Sequence, residues 1–272
     1  MDKREDLFSA TPPLEAKKML LSWAVTEGIG CKQGVREHGM NIDFIDVRRA
    51  YFHAKARRRV FVKLPEEDHE EGMCGMLIQA MYGTRDAAQN WEFEYVYFMG
   101  KIGFSKSRAT PCMFYHSERG IRVVIHGDDF TILGNEIELD WFRERISDKF
   151  EVKFRARLGP GGKDDTSVRL LNRVIEWTPQ GIRYEADQRH AELIARGMGL
   201  NDRTNSVVTP GGKKDEEQKD KKLDKQRALQ YRANVARANY MSQDRSDIQY
   251  QVKELCRCMS DPSEADWLML KG

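Results

Sequence analysis

Residues 123–133 of the chain read Val-Val-Ile-His-Gly-Asp-Asp-Phe-Thr-Ile-Leu. β-Branched and apolar residues on both sides of a short polar corner predict a β-hairpin whose turn holds the carboxylates of Asp128 and Asp129. Two adjacent negative charges repel each other unless a cation neutralises them, and carboxylate oxygens suit a hard divalent ion. The corner therefore indicates a Mg²⁺ site, although an Asp-Asp pair is also ordinary turn chemistry. A second pair, Asp164-Asp165, lacks flanking strands and is predicted to be only a solvated loop.

A third carboxylate comes from an earlier strand. Residues 42–47 form a short predicted strand that carries Asp46 near its end. Two-metal nucleotidyl transfer needs carboxylates from separate strands that converge on two ions about 3.5–4 Å apart. Asp46, Asp128 and Asp129 meet that requirement in residue type and order, so the sequence predicts a two-metal centre.

The composition is that of an ordinary globular protein. The chain has 272 residues, 40% of them apolar, and its 45 basic and 43 acidic residues leave a net charge of only +2. Any attraction for nucleic acid must therefore come from local clusters such as residues 55–59, Lys-Ala-Arg-Arg-Arg. No apolar run approaches the ~20 residues of a membrane span, and the N-terminus lacks a signal-peptide pattern. We expect an intracellular protein, cytoplasmic, nuclear or both, with no membrane partner.

The order of predicted elements indicates the fold class. From residue 42 to 154 the patterns run strand, insertion, helix, strand pair, helix, strand, which is the order of a split βαβ sheet. We therefore expect an α+β fold with a ferredoxin-like sheet and its helices on one face, in which the Asp46 strand can neighbour the Asp128 hairpin. The later patterns predict a hairpin (168–177 and 181–185), a helix (187–198), a flexible charged stretch (209–227) and further helices (231–272).

Four motifs follow one another along the chain. Residues 46–52 read Asp-Val-Arg-Arg-Ala-Tyr-Phe, and residues 82–91 begin with Tyr-Gly and end with Trp. Gly103-Phe104 precede Pro-Cys-Met-Phe at 111–114, and His-Gly-Asp-Asp follows at 126–129. In this order they resemble the motifs of the reverse transcriptases of copia-type long-terminal-repeat retrotransposons, in which the last motif reads Tyr-Val-Asp-Asp.

The resemblance implies a right-hand polymerase. Residues 1–155 would form a palm with truncated fingers, and residues 156–205 a small thumb-like hairpin and helix. Residues 206–230 would be a charged flexible linker, and residues 231–272 a helical connection segment that leads toward ribonuclease H. The rest of a Pol polyprotein, including ribonuclease H and integrase, is expected as a partner but is absent from this chain.

The resemblance also implies an activity, RNA-directed DNA polymerisation on an RNA or DNA template-primer. Asp46, Asp128 and Asp129 would hold two Mg²⁺ ions, with Mn²⁺ as an alternative, while the primer 3′-oxygen attacks the α-phosphate of a deoxynucleoside triphosphate. Tyr51 stands at the place of the family's sugar gate, where an aromatic ring would exclude a ribose 2′-hydroxyl. The remaining expected contacts are Arg48 and Arg49 with the nucleotide, and His126, Gly127, Tyr82 and Gly83 with primer or template.

Several departures from the family pattern keep other hypotheses open. His126-Gly127 replaces Tyr-Val, and Asp86 places a negative charge where the family has Gln. A catalytically inactive remnant that keeps the fold and binds nucleic acid is therefore the alternative. A third hypothesis is an RNA-templated RNA polymerase, because Gly-Asp-Asp is also that class's signature, but the ring of Tyr51 argues against it.

Overall fold

The computed structural model describes residues 9–31, 39–170, 172–201, 204 and 216–271. These residues form two compact units, of which the first runs to residue 168 and includes 176–182, and the second contains 169–175 and the residues from 183 onward. None of the described helices is both long and apolar enough to cross a membrane.

The first unit contains most of the strands and three helices. They are α1 (Leu14–Ala24), β1 (Asn41–Val47), β2 (Phe61–Val62), β3 (Gly75–Met76), α2 (Ala87–Lys101), β4 (Ser105–Lys106), β5 (Met113–His116), β6 (Ile121–His126), β7 (Asp129–Gly134), α3 (Glu136–Lys149) and β8 (Val152–Leu158). A short 3₁₀ turn, Ala50–His53, follows β1.

The main sheet has six strands in the order β4-β5-β6-β7-β1-β8. Strand β1 pairs antiparallel with both β7 and β8, although β7 and β8 lie far from it in sequence. The strands β6-β7-β1-β8 therefore have the order of a split βαβ sheet, and the predicted α+β class with an antiparallel sheet is confirmed.

The two faces of this sheet are covered by different helices. One face packs on α2 and α3 through a single apolar cluster that contains Ile45, Val123, Phe130, Trp91 and Phe142. Helices α2 and α3 belong to the predicted split βαβ unit, whereas α1 precedes that unit and contacts β1, β6 and β7. Its Trp23 ring lies 5.3 Å from the guanidinium of Arg122, which neighbours Val123 on β6 and points to the opposite face.

The second face of the sheet needs a covering helix because it is also apolar. Ile42, Phe44, Val124 and Leu133 alternate with the first-face residues and are all at most 1% exposed. A sheet that is apolar on both faces must be covered on both.

The segment after β8 differs from the predicted hairpin. It forms a three-stranded sheet of β9 (Ser167–Leu170), β10 (Arg173–Thr178) and β11 (Gly181–Glu185), with β10 in the middle. The predicted strand 168–177 is divided because Asn172 has φ +62°, a turn conformation that Asn tolerates better than most residues.

The second unit is built mainly from helices. They are α4 (Gln188–Gly197), α5 (Lys225–Ser242), α6 (Gln249–Arg257) and α7 (Glu264–Lys271). Tyr231 is fully buried and donates a 2.9 Å hydrogen bond to the carbonyl of Leu255, which joins α5 to α6.

The charged stretch predicted as a flexible linker, residues 206–230, lies partly outside the described residues. Its last part is helical, contrary to the prediction, because α5 begins at Lys225. The Asp224 carboxylate caps this helix by accepting a 2.8 Å hydrogen bond from the Arg227 amide, and Ala228 is buried.

A buried ionic cluster connects β1, β8 and α3. The Asp43 side chain is only 2% exposed and accepts paired hydrogen bonds from Arg143 and Arg157 at 2.6–2.9 Å. Arg157 also forms a 2.8 Å ion pair with Asp140, whose side chain is 58% exposed. These bidentate pairs fix the strand and the helix in one register.

Replacing Asp43 with Asn should lower the free energy of unfolding by about 3–5 kcal/mol, because two largely buried guanidinium groups would lose the carboxylate that they share. The matched control is Asp140→Asn, which weakens an exposed ion pair and should cost no more than about 1 kcal/mol. Urea denaturation followed by tryptophan fluorescence measures both. Equal losses in the two variants would contradict a structural role for the buried cluster.

Candidate active site

The tip of the β6-β7 hairpin is held in place from two sides. Gly127 has φ +64°, a conformation that side chains with a Cβ rarely adopt, and its carbonyl accepts a 2.8 Å hydrogen bond from the indole Nε1 of Trp91. Trp91 lies in α2 and is 1% exposed. On the other side, the carbonyl of Asp128 accepts a 2.9 Å hydrogen bond from the amide of Val47. Helix α2 and strand β1 therefore fix the turn.

The structure brings the three predicted carboxylate residues together. Asp46 lies directly opposite Asp129 in the antiparallel pairing of β1 and β7, and Asp128 precedes Asp129 in the turn. Side chains opposite each other in such a pair lie about 4.5–5.5 Å apart at Cβ, so the charges of Asp46 and Asp129 interact strongly. The prediction that the Asp46 strand lies beside the hairpin is confirmed.

A cation from β8 already lies between two of these carboxylates. One guanidinium nitrogen of Arg155 forms an ion pair with Asp46 and lies 3.4 Å from an oxygen of Asp129. Hydrogen bonding to Asp46 and the charge of Asp129 raise the pKa of Arg155, although partial burial acts in the opposite direction. The three carboxylates are thus partly neutralised by the protein itself.

Burial and neighbouring charges also shift the titration of the hairpin residues. Burial raises the pKa of Asp129, and the charges of Asp128 and Asp46 add to this, while Arg155 and Lys17 oppose it. Burial and the charge of Lys17 lower the pKa of His126, while the charge of Asp128 opposes them. Because burial and the neighbouring carboxylates disfavour the charged form of Asp129, an additional cation nearby would stabilise that form.

The carboxylates of the hairpin and of β1 are potential ligands of a divalent ion. Among the residues that the structure describes, no three His, Cys, Asp or Glu side chains are grouped so that they could hold one metal ion. Carboxylate oxygens on adjacent strands are nevertheless the ligands that Mg²⁺ prefers, and those of Asp46 and Asp129 already share one cationic group. The residue types fit a divalent ion, but Arg155 lies at their shared position.

The predicted nucleotide-binding residues are placed differently from one another. Tyr51 stacks on Tyr82 with ring centroids 4.3 Å apart, and burial, with smaller contributions from Tyr82 and Asp128, raises its pKa. Arg48 forms a 3.2 Å ion pair with Glu151, and both side chains are half exposed. Arg49 has φ +52° and precedes the 3₁₀ turn. The structure therefore pairs Tyr51 with Tyr82 and directs Arg48 toward Glu151.

Asp86 does not present an unpaired charge, contrary to the concern raised by the sequence. Its side chain is nearly buried and forms a 2.9 Å ion pair with Arg58 and a 3.0 Å hydrogen bond with Asn90. Although burial acts to raise the pKa of Asp86, these two partners lower it. Arg58, from the predicted basic cluster, therefore neutralises the negative charge of Asp86, the residue that departs from the family motif.

The sequence did not reveal two cationic residues of the site. Lys17 of α1 is 4% exposed, and its charge acts on both His126 and Asp129. Its spacing from Leu20 and Leu21, which lie three and four residues further along the buried stripe, was an available signal. No sequence pattern indicated Arg155, because the direction of its side chain depends on a register shift in the pairing of β1 with β8.

The family described as Reverse transcriptase (RNA-dependent DNA polymerase) matches residues 7–159, which is more than half of the chain. The chain belongs to this reverse transcriptase family, as the motifs indicated.

Similar proteins are the retrovirus-related Pol polyproteins from the transposons RE2 and RE1 of Arabidopsis thaliana, 24% and 25% identical over 235 and 236 residues, each covering 84% of this chain. The Pol polyprotein from transposon TNT 1-94 of Nicotiana tabacum is 21% identical over 98% of the chain. The chain spans only 15–20% of the length of these relatives. Among solved structures, a foamy viral protease-reverse transcriptase in complex with RNA/DNA hybrid aligns with a TM-score of 0.41 and 9% sequence identity. The alignment covers 87% of this chain and 27% of the foamy viral chain.

Replacing Trp91 with Phe should lower the free energy of unfolding by about 1–3 kcal/mol, because the Gly127 carbonyl would lose its buried donor. Trp141→Phe is the control, since this partly buried ring packs at the edge of the same core and should cost less than about 1.5 kcal/mol. Urea denaturation measures the difference. Equal costs would show that the indole hydrogen bond does not support the hairpin tip.

Proposed function

We propose that this chain is the RNA-directed DNA polymerase region of a retrotransposon Pol polyprotein, and that it adds deoxynucleotides to a primer 3′-hydroxyl. The observation that carries the proposal is the direct pairing of Asp46 with Asp129 beside Asp128, within the segment that matches the reverse transcriptase family. The proposed partners are an RNA or DNA template-primer, deoxynucleoside triphosphates and the remaining parts of the polyprotein.

The proposed mechanism uses the acidic turn as the reaction centre. Asp46, Asp128 and Asp129 would hold two divalent ions, Mg²⁺ or Mn²⁺, which when bound stabilise charge on the attacking and leaving oxygens. The protein's own contribution is position, because the hydrogen bonds of Trp91 and Val47 hold the turn before substrate arrives. Because the turn is already in position, no free energy is spent on reorganising it during the reaction.

Sugar selection is proposed for Tyr51, with Tyr82 as its positioning residue. The stacked rings fix the orientation of Tyr51 beside the acidic turn, and Phe52 packs edge-on against Tyr82 with centroids 5.5 Å apart. A fixed ring excludes a 2′-hydroxyl more strictly than a mobile ring would. The proposed polymerase is therefore selective for deoxynucleotides.

The division into polymerase subdomains is likewise a proposal. Residues 1–155 would supply the palm and part of the fingers, and residues 156–205 a thumb-like segment. The connection segment would begin with α5 at Lys225 rather than at residue 231, because that helix is continuous across the boundary.

Replacing Asp128 with Asn should lower primer extension at least about 100-fold, because the reaction centre would lose one of its charges. Asp148→Asn is the matched control, since its side chain is 68% exposed on α3 and its loss should leave extension unchanged. The measurement is extension of a labelled DNA primer on an RNA template with Mg²⁺ and deoxynucleotides. Unaltered extension by the Asp128 variant would refute the proposed site.

Replacing Tyr82 with Leu should reduce discrimination against ribonucleotides by up to about tenfold, since an aromatic pair contributes about 0.5–1.5 kcal/mol. Tyr82→Phe retains the stack and should keep the discrimination of the parent chain. Competition between ribo- and deoxynucleotides in primer extension measures the ratio. A parent chain that prefers ribonucleotides would favour the RNA polymerase hypothesis instead.

A second candidate, nucleic-acid binding without turnover, is favoured by the position of Arg155 on the carboxylates. It predicts that an RNA/DNA duplex binds with an affinity that falls as salt rises, with no extension product. Fluorescence anisotropy of a labelled duplex, run beside the extension assay, separates the two candidates. A product that depends on Asp128 would exclude the inactive remnant.

A further inference from the structure

Arg155 reaches the acidic turn because of a β-bulge in strand β8. In the pairing of β1 with β8, Phe44 lies opposite Ala156 and Ile45 lies opposite Phe154. Arg155 is therefore the extra residue, with no residue opposite it on β1. A bulge redirects a side chain that regular alternation would place elsewhere, and here it directs the guanidinium toward Asp46.

In this contact a side-chain cation lies between two carboxylates. A single guanidinium nitrogen serves both Asp46 and Asp129, the two residues that face each other across β1 and β7. A guanidinium keeps its positive charge at every physiological pH. Arg155 therefore cannot leave the carboxylates by losing a proton and must move away as a cation.

The surroundings permit that movement. The Arg155 side chain is 36% exposed, whereas the carboxylates of Asp46 and Asp129 are 18% and 15% exposed. The arginine thus lies on the solvent side of the pair. A long, flexible side chain can rotate into solvent without disturbing the strands that carry the aspartates.

We propose that Arg155 is an internal counter-ion that competes with divalent metal ions for Asp46 and Asp129, so that metal binding requires its displacement. The inference rests on the proposed function, because it assigns metal binding to the same carboxylates. In the resting chain the bulge arginine partly neutralises the site, and this competition sets the metal affinity of the chain. Arg155 is a regulatory residue here, not a catalytic residue.

The test is Mn²⁺ binding to the full chain, measured by calorimetry and by the electron paramagnetic resonance signal of free Mn²⁺, without nucleotide or primer. Arg155→Gln should bind Mn²⁺ at least about tenfold more tightly, because an adjacent cation shifts the equilibrium of a carboxylate by about 1–3 powers of ten. Arg155→Lys retains a cation and should bind with intermediate affinity.

The matched control is Arg145→Gln. Arg145 lies on α3, which packs on the sheet face opposite to that of Asp46, and its side chain is 44% exposed. The substitution removes the same unit of charge and should change Mn²⁺ affinity by less than about twofold, because solvent screens an exposed charge. An equal gain in the two variants would overturn the proposal, since it would reflect net charge alone.

The double variant Arg155→Gln with Asp129→Asn should lose the gain, which ties the effect to the named carboxylates. Urea denaturation of each variant establishes that it is folded. No gain on Arg155→Gln, or no measurable Mn²⁺ binding by any folded variant, would overturn the inference. A gain in affinity with no primer extension would refute the proposed polymerase and leave the competition standing.

Discussion

The antiparallel pairing of β1 with β7 is the constraint on which the site depends. It places Asp46 opposite Asp129 and brings the backbone of Val47 to Asp128, so three like charges are forced together by hydrogen bonds that lie outside the carboxylates. Such an arrangement costs free energy wherever no cation compensates it. The apolar strand residues that are buried on both faces of the sheet supply the stabilisation that holds it.

The rigidity of the hairpin tip comes from residues whose roles look unrelated in sequence. Trp91 is a core residue by burial, yet its indole donates to the Gly127 carbonyl and so links α2 to the turn. Tyr82, from the loop before α2, stacks on Tyr51, which follows β1. The motif that begins with Tyr-Gly and ends with Trp therefore contacts the hairpin tip through Trp91 and contacts Tyr51 through Tyr82, from two ends that are nine residues apart.

The sequence was informative where local pattern decides the structure. Alternating apolar residues and the order of elements predicted the antiparallel sheet, the hairpin and the nearness of Asp46 to it. Features that depend on tertiary contacts could not be predicted from the sequence. The placement of α1 depends on which sheet face needs cover, the division of the strand at Asn172 depends on one backbone angle, and the direction of Arg155 depends on a register shift. None of these leaves a periodic signal in the residues.

Strand β1 carries two aspartates on opposite faces, and a comparison of their arginine partners shows what each is suited to do. Asp43 is 2% exposed and is bound through both oxygens by two arginines, so any exchange would leave buried charges unpaired. Asp46 is 18% exposed and shares a single nitrogen of Arg155 with Asp129. Displacing that nitrogen by another cation leaves every carboxylate compensated and returns the arginine to water. The first cluster is therefore a permanent support of the fold, whereas the second is an ion pair that can open without unfolding the strand that carries it.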